Sequence, residues 1–196
     1  MPPFSVLAGW IAGVLSLLAF LPYIVAILRG QTRPNRATWW IWTTAGLVLG
    51  ASYYFSGAET TIWVPVSYIV GPLVTALLSI RYGEGGSTPL DRGCFAGAGA
   101  GLLFWWWFNS PVVALVMTLG VDFAGAVPTM KKAYLAPHTE DRLAWALFIA
   151  GNAFNLLAVD RWEFAIAIYP VYMFLASGSI AALVLRPRPA APPGLT

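Results

Sequence analysis

The sequence predicts an all-α integral membrane protein of seven transmembrane helices, arranged as two parallel three-helix repeats joined by a linker helix. Composition is the first observation behind this prediction: of 196 residues, 59% are hydrophobic and only 10% are charged. A soluble domain carries about 25% charged residues, so this chain has too few to cover a surface that faces water. The other two observations are a set of seven apolar segments and a pattern that occurs twice.

Seven apolar segments are long enough, or nearly long enough, to supply the roughly 20 helical residues that cross a bilayer. They are 5–28, 37–55, 61–80, 94–108, 111–130, 143–159 and 164–185. The fourth is the shortest; it begins with the small residues CFAGAGAG and ends in LFWWWF, whose tryptophans suit the membrane interface. Turn-forming residues flank it at 87–89 and 109–111. The proline-rich stretch 187–196 is predicted to be a disordered tail.

The basic residues lie almost entirely in alternate loops, and this placement predicts the orientation of the chain. Arg161 follows an even-numbered segment, whereas the other lysines and arginines follow odd-numbered ones: Arg29, Arg33, Arg36, Arg81, Arg92, Lys131, Lys132, Arg142, Arg186 and Arg188. By the positive-inside rule those loops are cytoplasmic, so we expect a multi-pass inner-membrane protein with its N-terminus outside and its C-terminus in the cytoplasm. The net charge of +3 thus reflects topology, and no nucleic-acid partner is expected.

An internal repeat accounts for six of the seven segments. A shift of about 105 to 106 residues superposes Leu21-Pro22 on Val127-Pro128, Arg36 on Arg142, Trp39 on Trp145, Pro65-Val66 on Pro170-Val171, and Arg81 on Arg186. The predicted units are 1–86, a linker at 87–110, and 111–186. Each unit has three spans, so the fourth segment is needed to keep both units parallel. Secondary transporters with parallel repeats hold their solute between the repeats, near the bilayer midplane.

Two prolines occupy equivalent positions near the predicted cytoplasmic ends of the first helix of each unit. Pro22 and Pro128 each remove one backbone hydrogen bond and clash with the preceding turn, which kinks a helix. Paired kinks at the same depth predict a gate. Packing alone is the alternative interpretation, because membrane helices often carry prolines.

The stretch FLPYI at 20–24, the loop RGQTRPNR, the tryptophan-rich second helix and the 3+1+3 layout resemble the SWEET and PQ-loop superfamily, which includes the SemiSWEETs. The resemblance covers residues 5–186 and implies a solute carrier. The proline-glutamine pair of that family stands here as Pro22-Tyr23 and Pro128-Thr129. Positions that hold sugar in the family match Tyr53 and Ser67, with Tyr172 as the repeat mate of Ser67. The resemblance therefore implies the fold more strongly than it implies sugar.

Asp122 is the only acidic residue inside a predicted span. A charge at the bilayer centre costs from about 3 to more than 10 kcal/mol, so this side chain should face the interior of the bundle. The resemblance implies a proton-coupling site; the alternative is a carboxylic acid that only bonds a neighbouring helix.

Asn152 and Asn155 share one helix face and either bind solute or join helices. Trp42 is predicted to line the pathway, whereas Trp39 and Trp40 are predicted interface anchors.

The predicted function is transport of a small polar solute (a sugar, amino acid or vitamin) by alternating access, with or without proton coupling. A cargo-binding protein of the same fold and a carrier of the nicotinamide riboside or thiamine type stay open as alternatives. A retinal receptor is excluded because its lysine would lie in the last span, and the lysines here are Lys131 and Lys132. One buried aspartate, one loop histidine (His138) and one cysteine (Cys94) predict no enzyme, metal site or cofactor. An oligomer is left open.

Overall fold

The computed structural model describes residues 3–55, 57–86, 88–107 and 111–187, and the regular secondary structure within them is helical. The seven helices are α1 (Phe4–Leu28), α2 (Arg36–Phe55), α3 (Trp63–Tyr82), α4 (Pro89–Trp107), α5 (Pro111–Leu135), α6 (Arg142–Leu157) and α7 (Phe164–Leu185). A short 3-10 turn, Pro137–Thr139, connects α5 to α6. The prediction of an all-α chain with seven helices is confirmed for this part. Ser87, Asn109, Ser110 and the predicted tail from Arg188 onward lie outside the described residues.

The predicted helix boundaries differ most from the structure at α4. This helix begins at Pro89, not at 94, and has 19 residues, so the prediction of a short fourth helix is wrong at its N-terminus. The cause is a capping box. The Asp91 backbone N–H donates to Thr88 Oγ1 at 3.2 Å, and the Thr88 backbone N–H donates to Asp91 Oδ2 at 3.1 Å. A proline at the first helical position adds no unsatisfied donor.

Three of the described helices are long and apolar enough to cross a membrane. They are α1 with 25 residues and a mean hydropathy of 2.5, α3 with 20 residues and 1.7, and α7 with 22 residues and 1.8. Helix α6 is apolar but shorter, with 16 residues. Membrane association is confirmed to this extent, whereas the seven-span count and the orientation of the termini stay predictions.

The helices pack in a reciprocal pattern. Helix α1 packs against α6 and α3, α2 packs against α5 and α3, and α7 packs against α6 and α5. Exchanging α1 with α5, α2 with α6 and α3 with α7 reproduces these pairings. The linker helix α4 lies on α5, with a smaller contact to α2. Among the described residues, the first helix of each predicted unit therefore packs mainly on the second helix of the other unit.

Equivalent polar residues begin α2 and α6. Asn35 Oδ1 accepts the backbone N–H of Thr38 at 3.0 Å, and Asp141 Oδ1 accepts the backbone N–H of Ala144 at 2.7 Å. Both contacts are N-caps, in which a side-chain oxygen satisfies a free donor of the first helical turn. Asp141 therefore caps α6, and Asn35 caps α2 in the same way.

The arginine after each cap binds the carboxyl end of the third helix of its own unit. Arg36 Nε donates to the Ser79 carbonyl at 2.9 Å, and Arg142 Nη2 donates to the Leu185 carbonyl at 2.9 Å. Cations at a helix C-terminus also interact favourably with its dipole. These arginines were predicted as topology signals, and the structure adds that they fasten the second helix to the third.

Glycine permits a close approach between α1 and α3. A Cβ on buried Gly13 would lie 2.7 Å from the Trp63 Cβ, closer than two carbon atoms can approach. Small residues at such crossings let membrane helices pack backbone against backbone. Gly120 on α5 is exposed, and a Cβ there would have no neighbour within 4 Å.

We expect Gly13→Ala to destabilise the protein by about 1 to 3 kcal/mol, because the helices must separate to admit the methyl group. Gly120→Ala is the matched control, and it should be neutral or stabilising because alanine favours a helix by about 1 kcal/mol over glycine. Thermal unfolding in detergent measures both variants. Equal melting temperatures for the two variants would contradict the packing described above.

Candidate functional site

An internal cavity of about 50 Å³ lies where α2, α3, α5, α6 and α7 meet. Its walls are formed by Trp39, Trp42, Ala45, Gly46, Leu49, Tyr68, Pro72, Asp122, Ala126, Trp145, Phe148, Tyr169, Met173, Ala176, Ser177 and Ile180. Sites for small organic molecules usually measure about 300 to 1,000 Å³, so this cavity admits a few water molecules and no sugar or vitamin. In this structure the cavity is therefore too small to hold such a solute.

Residues at equivalent positions of the sequence repeat line opposite parts of the cavity. Trp39 with Trp145, Trp42 with Phe148, Tyr68 with Met173, and Pro72 with Ser177 are each separated by 105 or 106 positions. These are the spacings that relate the two predicted units. The cavity thus lies between matched surfaces of those units.

Asp122 is the carboxylate among the cavity-lining residues. The Tyr172 hydroxyl on α7 donates to its Oδ2 at 2.6 Å. The indole Nε1 of Trp42 on α2 donates to the Asp122 backbone carbonyl at 3.0 Å. Three of the predicted site residues are therefore brought together. The prediction that Asp122 faces the interior of the bundle is confirmed, and its role in proton coupling stays a prediction.

Asn152 supports one wall of the cavity from behind. Its side chain is fully buried, and its Nδ2 lies 3.2 Å from the Tyr68 hydroxyl, 3.0 Å from the Phe148 carbonyl and 3.2 Å from Ser177 Oγ. An amide nitrogen has two hydrogens, so at most two of these bonds are complete at one time. Tyr68, Phe148 and Ser177 all line the cavity, so Asn152 fixes the wall without lining it.

Asn155 lies one helical turn further along α6 and is equally buried. Neither its Nδ2 nor its Oδ1 has a hydrogen-bond partner among the described residues. Asn155 does not line the cavity in this structure, although it was predicted to lie in the substrate pathway. A fully buried amide without partners costs free energy, which makes Asn155 an unusual position.

Tyr53 and Ser67, which match the family's sugar-holding positions, also lie outside the cavity lining. The Tyr53 hydroxyl lies 2.6 Å from Thr61 Oγ1 and donates to the Ile166 carbonyl at 2.8 Å. Its ring packs against Tyr169, with centroids 4.9 Å apart. Ser67 donates to the Val64 carbonyl of its own helix at 2.8 Å. Tyr53 thus closes the end of the bundle beyond the cavity, next to Tyr169.

The two predicted gate prolines lie inside continuous helices. Pro22 is within α1 and Pro128 is within α5, and neither lines the cavity. Both are near the helix ends that carry the basic loops, as predicted. Their gating role stays a prediction.

The aromatic character of the cavity was only partly predicted. Trp39 is 2% exposed and faces the cavity, so its prediction as an interface anchor is wrong: a buried indole cannot contact lipid headgroups. Phe148 was not singled out as a wall residue beside it. The repeat pair Trp39 and Trp145 was the available signal, because a buried position is expected to recur in both units.

Comparison with known proteins gives no match: no protein-family model, curated protein or solved structure is significantly similar to the chain. The resemblance to the SWEET and PQ-loop superfamily rests on the quoted residues and stays a prediction. Within the part of the chain that the structure describes, no group of three or more histidine, cysteine, aspartate or glutamate side chains is arranged to hold a metal ion.

The two asparagines provide a matched pair of substitutions. We expect Asn152→Leu to destabilise the protein by about 1 kcal/mol or more, because it removes the donor shared by Tyr68 and Ser177. Asn155→Leu should be neutral or stabilising, because it removes two buried polar atoms that have no partner. Thermal unfolding in detergent compares them. A larger loss for Asn155→Leu would show that Asn155 binds a group absent from this structure, such as a solute.

Proposed function

We propose that this protein is a membrane transporter of a small polar solute that works by alternating access, with seven spans arranged as two parallel three-helix units around the central cavity. The observation that carries the proposal is the cavity itself. It is lined by matched positions of both predicted units, and Asp122 is the carboxylate among its described lining residues. Parallel-repeat transporters place their solute in this way.

The reciprocal packing supports the two-unit arrangement. The pairings of α1 with α6 and of α2 with α5 are exchanged by the same operation that superposes the sequence repeat. The N-caps at Asn35 and Asp141, and the arginine contacts that follow them, obey the same spacing of 106. Two units of three helices each can lie parallel only if a further helix connects them, and α4 is in the position to do this.

The small volume of the cavity supports a moving structure more than a fixed binding pocket. About 50 Å³ is too little for a sugar, amino acid or vitamin, so the units must separate before such a solute enters. Alternating access provides this separation, first at one end of the bundle and then at the other. The Asp122 carboxylate bonds Tyr172 of the second predicted unit, and the Asp122 backbone carbonyl accepts a hydrogen bond from Trp42 of the first, so Asp122 lies where the two units make contact.

A solute with aromatic surface is the second candidate, and the wall composition favours it. Three tryptophans, two tyrosines and a phenylalanine line the cavity: Trp39, Trp42, Trp145, Tyr68, Tyr169 and Phe148. Aromatic rings stack well on one another, whereas a sugar needs more hydrogen-bonding groups than these walls offer. A carrier of the nicotinamide riboside or thiamine type fits this composition. A cargo-binding protein that does not transport would have the same cavity walls. The uptake experiment below distinguishes it from a transporter.

Purified protein is first screened by thermal shift against sugars, amino acids and vitamins, because a binder raises the melting temperature in a concentration-dependent way. The solute that binds is then tested for uptake into proteoliposomes. Uptake above that of empty liposomes supports transport. Binding without uptake supports the cargo-binding alternative.

The role of Asp122 is tested in the same proteoliposomes with an imposed proton gradient. We expect Asp122→Asn to abolish the part of the uptake that depends on the gradient, because the amide keeps the shape of the side chain but cannot release a proton. Asp160→Asn is the control, since Asp160 is exposed and lies outside the helices. Gradient-dependent uptake that survives in Asp122→Asn would exclude Asp122 as the coupling residue.

A further inference from the structure

A buried ion pair lies at the end of the bundle where the basic loops are. Glu140, between the 3-10 turn and α6, has no exposed side-chain surface, and its Oε1 lies 2.7 Å from Lys132 Nζ on α5. The Lys132 side chain is 7% exposed. Isolated charges are rarely buried to this degree, because desolvation is costly unless each charge is paired and hydrogen-bonded. The N-cap of α6 is made by the neighbouring Asp141, which leaves the Glu140 carboxylate free to bind Lys132.

The pair has additional partners on several elements. The Tyr23 hydroxyl on α1 donates to Glu140 Oε2 at 3.1 Å, and Trp145 Nε1 on α6 donates to the same oxygen at 2.9 Å. Lys132 Nζ also donates to the Arg33 carbonyl in the loop between α1 and α2. The pair therefore binds α1 and its following loop, which belong to the first unit, to α5 and α6, which belong to the second.

The same residues connect directly to the cavity wall. Trp145 lines the cavity with its ring and donates its N–H to Glu140. Tyr23 packs against Trp39, which also lines the cavity, with ring centroids 5.1 Å apart. The cluster thus lies between the cavity and the loops at this end of the bundle.

We infer that Glu140 and Lys132 form a latch that closes the cavity towards the basic loops and releases when that end opens. The inference rests on the proposed function, in that a closed cavity must open to admit solute. Separation of the two units at this end would pull Tyr23 and the Arg33 carbonyl away from the pair. Loss of these partners exposes the pair to water, where its attraction is weak. The latch is therefore stable when closed and easily broken once water enters.

The rate at which a cysteine on the cavity wall is labelled measures how often the cavity opens towards the basic loops. Cys94 is the only cysteine of the chain, so Cys94→Ser gives a cysteine-free background. Ala176→Cys then places one thiol on the cavity wall. A membrane-impermeant maleimide is applied to vesicles of each orientation. A separate Gln31→Cys variant, whose position is exposed in the loop after α1, shows which vesicles present the basic loops.

Breaking the pair should raise the rate at which the cavity thiol is labelled from the loop side by roughly tenfold or more, since loss of one partner of a buried pair strongly destabilises the closed state. Glu140→Gln and Lys132→Met both break it. Lys132→Arg keeps the charge and should stay close to the parent rate. Lys131→Met is the matched control, because Lys131 is the neighbouring residue on α5 but is exposed. Labelling from the opposite side should not rise in any variant.

Unchanged loop-side labelling in both Glu140→Gln and Lys132→Met, with Gln31→Cys labelled normally and a monodisperse gel-filtration peak, would overturn the latch. So would an equal increase in Lys131→Met, which would assign the effect to general charge. If one pair-breaking variant fails to fold, the other decides the result, and Tyr23→Phe, which removes a single hydroxyl, adds a milder test. Absence of solute uptake alongside latch-dependent labelling would overturn the transport proposal alone.

Discussion

The reciprocal packing of α1 on α6 and of α2 on α5 is the constraint on which the rest of the molecule depends. In each of the two predicted units, called sets below, the first helix packs mainly on the second helix of the other set. Each set therefore needs the other to bury the small-residue faces of α1 and α5. The surface between the sets carries aromatic side chains of both, Trp39 and Trp42 from one and Trp145 and Phe148 from the other. The central cavity is the space left over, and its paired lining follows from the same arrangement. A site formed in this way changes shape whenever the two sets move relative to each other.

Polar side chains inside this apolar bundle are arranged around that interface. The Glu140 carboxylate binds Lys132, Tyr23 and Trp145, which lie on helices of both sets. The Asp122 carboxylate binds Tyr172 of its own set, and the Asp122 backbone carbonyl accepts a hydrogen bond from Trp42 of the other set. In an apolar medium an unpaired carboxylate is so unfavourable that its partners are held firmly. The free energy that such contacts contribute to one conformation is lost in another. If the two sets move as the proposed function requires, the contacts of a buried carboxylate would break and form in discrete steps, whereas apolar contacts of the same area can slide.

The sequence predicts the seven helices and most of their limits, because apolar run length and turn residues are local properties. It also predicts which residues are equivalent in the two units, as Arg36 and Arg142 illustrate. It does not predict how far each helix is rotated or how deep each residue lies. Asn152 and Asn155 share one helix face and are both fully buried, yet Asn152 bonds residues of the cavity wall and Asn155 has no partner among the described residues. Glu140 is similar: beside Asp141 it has the appearance of a helix cap, and only the packing of α1 and α5 shows that it is buried.

The residues that pack behind the cavity lining differ between its two ends. Towards the basic loops, Trp39 and Trp145 are backed by the Glu140 and Lys132 pair. At the other end Tyr169 is backed by Tyr53, whose hydroxyl bonds only neutral groups, Thr61 and the Ile166 carbonyl. An ion pair loses most of its attraction once water reaches it, whereas the attraction between packed aromatic rings falls gradually as their area is exposed. Opening at the loop end should therefore be abrupt, and opening at the tyrosine end should be graded. If the chain transports, the membrane potential and the ionic conditions on the loop side act mainly on the ionic end, and this gives the two steps of a transport cycle separate controls.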